Sequence, residues 1–314
     1  MRLMETRVDI PKRFSPSGIG TYLDCQERYR CERVANLPTA TTADQTRGLA
    51  VHTAAERLMV LPQGTRSRET AVALGEAAWA EMLNDPNYAL VVAPEGYEVP
   101  EGVVWPSRSS RDPEAEAVNI DHGIPVDPIK AAEMLDSIRG RLHAYYDLGA
   151  NPDEVQPVAI EPHVEAPLGD YAVHGYIDRL DSVQGVENGV RILDYKSGKA
   201  PDKRFAGPKF AQLRLYAYAV AKSTDWVPVK LMLVYLNPQR PGVRVEDVTE
   251  ETLRQTEVEL RSNIDAIVNS YETNTWVANP TVLCNWCEFR FPNGEYPGCE
   301  AYAKAVATGA VKVR

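Results

Sequence analysis

The stretch Ile192-Leu193-Asp194-Tyr195-Lys196-Ser197-Gly198-Lys199 decides the fold. Successive residues of a strand point to opposite faces, so Asp194 and Lys196 emerge side by side at the end of an apolar run. Upstream, Gly175-Tyr176-Ile177-Asp178 lies in the preceding strand of an expected hairpin, from which Asp178 reaches the same place. Two carboxylates can hold a divalent cation, and Mg2+ keeps most of its waters, so few protein oxygens are needed to place it. Such an ion polarises a phosphoryl group and lowers the pKa of a bound water. Lys196 then orients that water or offsets charge developing on phosphate. An Asp-x-Lys pair on its own reads as a surface ion pair, so the residues around it decide the matter.

Outward from this stretch, residues rich in Val, Ile and Tyr over 155–166, 171–183 and 190–195 read as strands separated by Gly and Asp/Asn turns. An amphipathic helix over 208–222 follows, then strands over 230–236 and 243–248 and a long helix over 249–271. Toward the N-terminus, Ser15-Pro16 is a helix-start signal, and the short helix after it is expected to carry Cys25. Further helices are expected over 44–61, 69–83 and 128–148. Residues 85–128, with Asp85-Pro86, Glu95-Gly96, Trp105-Pro106 and Asp112-Pro113, read as a Pro-rich insertion. The expected fold is α/β in the α+β sense, a mixed central sheet flanked by helices. The expected divisions are a helical region over 1–150, a core over 151–248 and a cysteine-rich end over 249–314, in one compact unit.

The net charge of -10 over 314 residues is unfavourable for a protein that coats DNA. Between Arg191 and Arg214, however, Arg191, Lys196, Lys199, Lys203, Arg204, Lys209 and Arg214 face only Asp194 and Asp202. An acidic chain with one basic stretch beside a candidate site suits an enzyme that grips nucleic acid in a groove and then lets go. With no apolar run of membrane length and no secretory pattern at the start, a cytoplasmic protein is expected. Five cysteines, Cys25, Cys31, Cys284, Cys287 and Cys299, argue against a disulfide framework. Cys284-x-x-Cys287 followed by Cys299 is a metal-type spacing that needs a fourth thiolate, and zinc and iron-sulfur clusters both accept four cysteines.

His52 in Arg47-Gly48-Leu49-Ala50-Val51-His52 and the pair Gln212 and Tyr216, one helical turn apart, complete the pattern. His after Arg-Gly, then Gly-x-x-Asp, then Asp-Tyr-Lys-x-Gly, then Gln-x-x-x-Tyr, in that order, resembles the RecB-like nucleases of the PD-(D/E)XK superfamily over about residues 47 to 216. The resemblance implies a restriction-endonuclease-like core, Mg2+ or Mn2+ held by His52, Asp178 and Asp194, a catalytic Lys196, and support from Gln212 and Tyr216. Glu161 is a further candidate for the acidic cluster, while Glu165 and Asp181 are expected at the surface. One cysteine in Tyr22-Leu23-Asp24-Cys25 and three near the C-terminus resemble the iron-sulfur CRISPR-associated Cas-four-type exonucleases and the AddB nuclease, with a longer gap before Cys299. That resemblance implies a [4Fe-4S] cluster on Cys25, Cys284, Cys287 and Cys299, joining the helical N-terminal part to the C-terminus. Cys31 is the alternative to Cys25.

The implied function is exonucleolytic cleavage of DNA, preferring single-stranded ends, in recombination, repair or CRISPR spacer acquisition, alone or with partner proteins of those processes. Arg28, Lys199, Lys203, Arg204 and Lys209 are the expected nucleic-acid contacts, with Tyr29, Arg30 and Arg33 as further candidates. The competing expectations are a catalytically idle DNA-binding scaffold that keeps a structural metal cluster and a nuclease active only inside a recombination complex.

Overall fold

Local sequence signals start most of the helices. The computed structural model describes residues 9–37, 39–99, 122–148, 151–292 and 296–312. After the short strand β1 (Arg13–Phe14), the Ser15 hydroxyl accepts the Gly18 N–H and starts α1 (Pro16–Asp24) with proline in its first turn. Cys25 is not helical as expected: at φ -165° it is the extended break between α1 and α2 (Gln26–Tyr29), which continues into a π-helical turn at Arg30–Val34. A reciprocal capping box of Thr42 and Gln45 starts α3 (Ala43–Val60), and Ser67 caps α4 (Arg68–Met82).

Asp85 caps α5 (Pro86–Ala89), which with the turn at Leu90–Val92 packs Tyr88 and Val92 against α3 and α4. The start of the expected insertion is therefore core, because one cap followed by proline suffices to fold the chain back. Its residues 100–121 lie outside the described residues. Asp127 accepts two backbone N–H groups to begin α6 (Pro128–Asp147). A Cβ at Gly75 would collide with Leu142, so glycine there lets α4 and α6 close on each other.

Among the described residues the strands form two sheets instead of one. β2 (Pro157–Ile160), β5 (Arg179–Ser182), β6 (Gly189–Lys196), β7 (Val227–Tyr235) and β8 (Gly242–Asp247) make a sheet in the order β2-β5-β6-β7-β8. β3 (His163–Leu168) and β4 (Tyr171–Tyr176) make the second with β1, in the order β1-β4-β3. Each of the strands expected over 155–166 and 171–183 is thus broken in two. Glu161 takes φ 50° ahead of Pro162, ending β2, and the second break lies beside it: Glu161 N–H donates to the Asp178 carbonyl at 3.2 Å and Ile177 N–H to the Pro162 carbonyl at 3.1 Å. The two segments leave one sheet for the other at a shared crossing, and Asp178 sits on it.

β6 and β7 are parallel and the other pairings of the five-stranded sheet are antiparallel. Alternation divides its faces cleanly. Leu193, Tyr195, Val234 and Leu236 pack with α3, α4 and α6, whereas Val190, Ile192, Leu231 and Leu233 face α7 (Ala211–Ser223). α7 lies against β3, β4, β6 and β7 and is buried from Leu215 to Val220, so it fills the space between the two sheets. Thr249 caps α8 (Glu250–Thr273), whose Leu260, Ile264 and Ile267 join the same core as Phe14, Tyr22 and Tyr29. The Tyr22 hydroxyl donates to the Ala266 carbonyl at 2.8 Å, tying α1 to α8. Beyond lie two short turns and α9 (Glu300–Ala307).

Candidate active site

The end of β6 brings together residues from four parts of the chain. Asp178, at the crossing before β5, accepts the Tyr195 backbone N–H on Oδ2 at 2.7 Å, and His52 Nδ1 of α3 lies 3.2 Å from the same oxygen. Lys196 Nζ lies 2.7 Å from Asp194 Oδ2 and donates to Gln212 Oε1 of α7 at 3.2 Å. Gln212 Nε2 in turn donates to the Tyr216 hydroxyl at 3.0 Å. Tyr216 reaches this place because residue 175 is glycine: a Cβ there would stand 2.6 Å from the tyrosine ring. His52, Asp178, Asp194, Lys196, Gln212 and Tyr216 are thus contiguous. Glu161 joins the neighbourhood through its backbone bond to Asp178.

Both carboxylates are nearly sealed, Asp178 at 8% exposure and Asp194 at 3%. Burial and the negative charge of Asp178 push the Asp194 carboxyl up to about 6, against the pull of Lys196 and His52. Burial also acts to raise Asp178, but His52, the Tyr195 N–H and Lys196 outweigh it and hold this carboxyl below its ordinary range. Burial pulls the His52 imidazole down, yet Asp178 and Asp194 leave it above its ordinary value. Asp194 Oδ2 and His52 Nδ1 are buried in ion-pair contacts with Lys196 and Asp178. Two carboxylates buried this close to an imidazole are groups of the kinds that ligate a divalent cation. Among the described residues no three His, Cys, Asp or Glu side chains are already drawn in around one ion position.

Beneath the site, on the helical face of the sheet, lies a group the sequence did not announce. Asp181, expected at the surface, is 1% exposed: its carboxylate is held by Arg179, with Nε 2.8 Å from Oδ1, and by Arg191 Nη2 at 2.7 Å. The reason is register, since Asp181 pairs with Arg191 across β5 and β6 on the face that α6 covers. Arg179 Nη1 also donates to the hydroxyls of Tyr145 at 2.8 Å and Tyr195 at 2.6 Å. The signal in the sequence was a charged residue at every second position of Arg179-Leu180-Asp181. Glu165, by contrast, is exposed and paired with Arg13.

The basic loop from β6 to α7 leaves Lys199, Lys203, Arg204 and Lys209 exposed. It is pinned to the β7–β8 turn, with Ala200 N–H on the Arg240 carbonyl at 3.0 Å and Arg244 on the Pro201 carbonyl. Arg191 and Arg214 are taken up by Asp181 and Glu246. Tyr29 is core, stacked on Trp276 with centroids 5.9 Å apart, because the break at Cys25 turns it inward. Tyr195 and Tyr218 are also buried.

A second centre lies at the chain ends. Cys25, Cys284, Cys287 and Cys299 line one small cavity together with Arg28, whose guanidinium pairs with Glu32 at 2.6 Å. Cys25 Sγ accepts the Asn279 N–H at 3.5 Å and Cys284 Sγ the Thr281 N–H at 3.4 Å. Burial, together with the other cysteines nearby, raises the Cys287 and Cys299 thiols. Cys31 does not line this cavity: it is fully buried beside Phe289 and Tyr296, with Cys287 packed against the same cluster, and burial pushes its thiol up to about 12.

A family model described as the PD-(D/E)XK nuclease superfamily matches residues 13–291. No curated protein matches the chain. Among solved structures, a candidate exonuclease from Eubacterium rectale is similar at 10% identity over 97% of this chain and 99% of that one, with a TM-score of 0.53. The structure of SSO0001 aligns at 11% identity over 94% of this chain and 89% of that one, with a TM-score of 0.39. At such identities the first of these shows a shared fold alone, and the second carries no argument. No described helix is long and apolar enough to cross a membrane.

Proposed function

The chain belongs to the PD-(D/E)XK nuclease superfamily, and from that premise we propose that it is a Mg2+- or Mn2+-dependent deoxyribonuclease of the RecB-like kind, cutting DNA from single-stranded ends. The observation that carries this reading is the meeting of His52, Asp178, Asp194 and Lys196 at the end of β6, where two carboxylates, an imidazole and an ammonium are packed together in a nearly sealed place. The donor set fits a hard divalent cation: His52, Asp178 and Asp194 would hold it. Such an ion supplies polarisation of the phosphoryl oxygen and a more acidic water.

The chain's own residues supply the rest. Asp178 is fixed in direction by the Tyr195 N–H, so its oxygen has little freedom to turn away. Lys196, carried by the rigid strand and steadied by Gln212, places a positive charge beside Asp194, where it orients a water and offsets charge on the scissile phosphate. Tyr216 holds Gln212 from behind. Lys199, Lys203, Arg204 and Lys209, exposed on a loop whose two ends are Lys196 and Gln212, are placed to take the phosphates of the incoming strand.

The cysteine cavity fits a [4Fe-4S] cluster of the kind found in Cas-four-type and AddB nucleases. The four cysteines line one cavity, and two of their sulfurs accept backbone N–H bonds, as cluster sulfurs do. Cys25, Cys284, Cys287 and Cys299 would hold the cluster, and Cys31 would not. The test is the purified chain with Mn2+ on linear and circular single-stranded DNA. Loss of linear molecules only, abolished in Asp194→Ala, is expected; equal loss of circles means an endonuclease, and no loss of either ends the nuclease reading. Anaerobically purified protein is expected to be brown, and colourless protein containing zinc overturns the cluster.

A further inference from the structure

We propose that Arg179 is a positioning residue for the metal site: by holding the Tyr195 phenol from beneath, it indexes Asp178 and His52 to β6. What those groups hold follows from the nuclease reading, whereas the indexing itself follows from geometry alone.

Tyr195 stands between Asp194 and Lys196 but points to the other face of the sheet, so it takes no direct part in the site. It nonetheless touches both remaining members. Its backbone N–H is on Asp178 Oδ2 at 2.7 Å, and the edge of its ring meets the His52 ring at 87°, with centroids 6.0 Å apart. Asp178 comes from a crossing between sheets and His52 from a helix, and neither shares a strand pairing with β6 that would set its distance. The residue that both touch is held at its far end by the Arg179 guanidinium at 2.6 Å and by the Tyr145 hydroxyl at 2.9 Å. Arg179 is itself fixed by Asp181, which pairs with Arg191 on β6. The group therefore closes a loop from β5 through β6 to α6 that leaves the phenol little room to shift.

Stability is a poor reason for such a group. Burying an ion pair costs desolvation that its attraction barely returns, and apolar residues of the same volume often do as well. A planar fork, in contrast, fixes the directions of several partners at once, which an ammonium cannot do. Groups that orient the ligands of a metal typically govern its affinity by about 10- to 100-fold.

Three proteins test the proposal: the native chain, Tyr195→Phe, which removes only the hydroxyl, and Arg179→Lys, which keeps the charge but not the fork. Two quantities are read well below the melting temperature, the Mn2+ dissociation constant and the hydrogen-exchange rate of the residue 195 amide in metal-free protein. Both variants are expected to bind Mn2+ about 10-fold more weakly or worse and to exchange that amide faster, while amides in the middle of β7 stay protected. A merely structural role would lower the melting temperature and leave both quantities of the folded protein unchanged, which overturns the proposal. So does an Arg179→Lys protein that matches the native chain. If the native chain takes no Mn2+, the nuclease reading falls, and the exchange rates alone decide whether Arg179 holds Tyr195.

Discussion

The end of β6 and the cysteine cavity both gather side chains of kinds that can ligate metals, yet they are built in opposite ways. The first is assembled on a five-stranded sheet, between helical layers, from groups that each have a support: Asp178 has the Tyr195 N–H, Lys196 has Gln212, and Gln212 has Tyr216. The second is assembled from short turns and one break between helices, with small satellite clusters around Phe289 and Tyr302 behind it among the described residues. The lesson is that on regular structure each side chain is positioned by its neighbours in the fold. A site on loops draws its order from what it binds, and binding free energy there is folding free energy.

That contrast can be broken most directly at the cysteines. Replacing Cys284 by Ser, or stripping the bound metal, is expected to lower the melting temperature by roughly 10 °C or more. Mn2+ affinity below the transition is expected to stay as it was. Calorimetry of the two forms decides it, and an unchanged melting temperature would mean that the cavity orders itself unaided. Asp194→Ala is expected to do the reverse, with cleavage falling on the order of 1000-fold and the melting temperature holding or rising. The physical reason is that Asp194 is a sealed carboxylate beside the negative charge of Asp178, and both burial and that charge disfavour its ionised form in the metal-free fold.

Asp181→Ala sharpens the comparison from within the sheet. It strands the buried guanidinium of Arg179 and is expected to cost about 3 to 5 kcal/mol in urea unfolding. A loss below 1 kcal/mol would show that water reaches this group. The smallest effect is expected at the exposed loop. Lys203→Ala should weaken single-stranded DNA binding modestly and reduce the slope of log affinity against log salt by about 0.7, whereas Asp194→Ala leaves that slope alone. A Lys203→Ala slope equal to the native one removes this residue from the phosphate contacts.

Much of this was legible because short-range rules govern it. The Thr42/Gln45 box, the Ser15-Pro16 start and the long helix after Thr249 are local signals, and the structure has helices where they stand. The spacing of Asp194 and Lys196 and the turn between Gln212 and Tyr216 fix which side chains share a face. The two broken strands were not legible, because Glu161 at φ 50° is set by the crossing with Asp178 and not by its own preference. Nor was the burial of Asp181, which depends on a cross-strand partner and on a helix laid over it. Tyr29 read as an exposed platform until Cys25 proved to be a break and not a helical residue.

The sequence by itself determined the chemical inventory: which residues can ligate a hard cation, which lysine stands beside them, and which thiols have metal spacing. It did so because strand and helix periods are fixed by the backbone. Tertiary structure alone decided that Asp178 meets His52, that Cys25 lines one cavity with Cys284, Cys287 and Cys299, and that Arg179 grips Tyr195 from below. Those outcomes belong to pairings between distant segments, whose register is chosen by burying one face of each element against another, and no local preference records that choice.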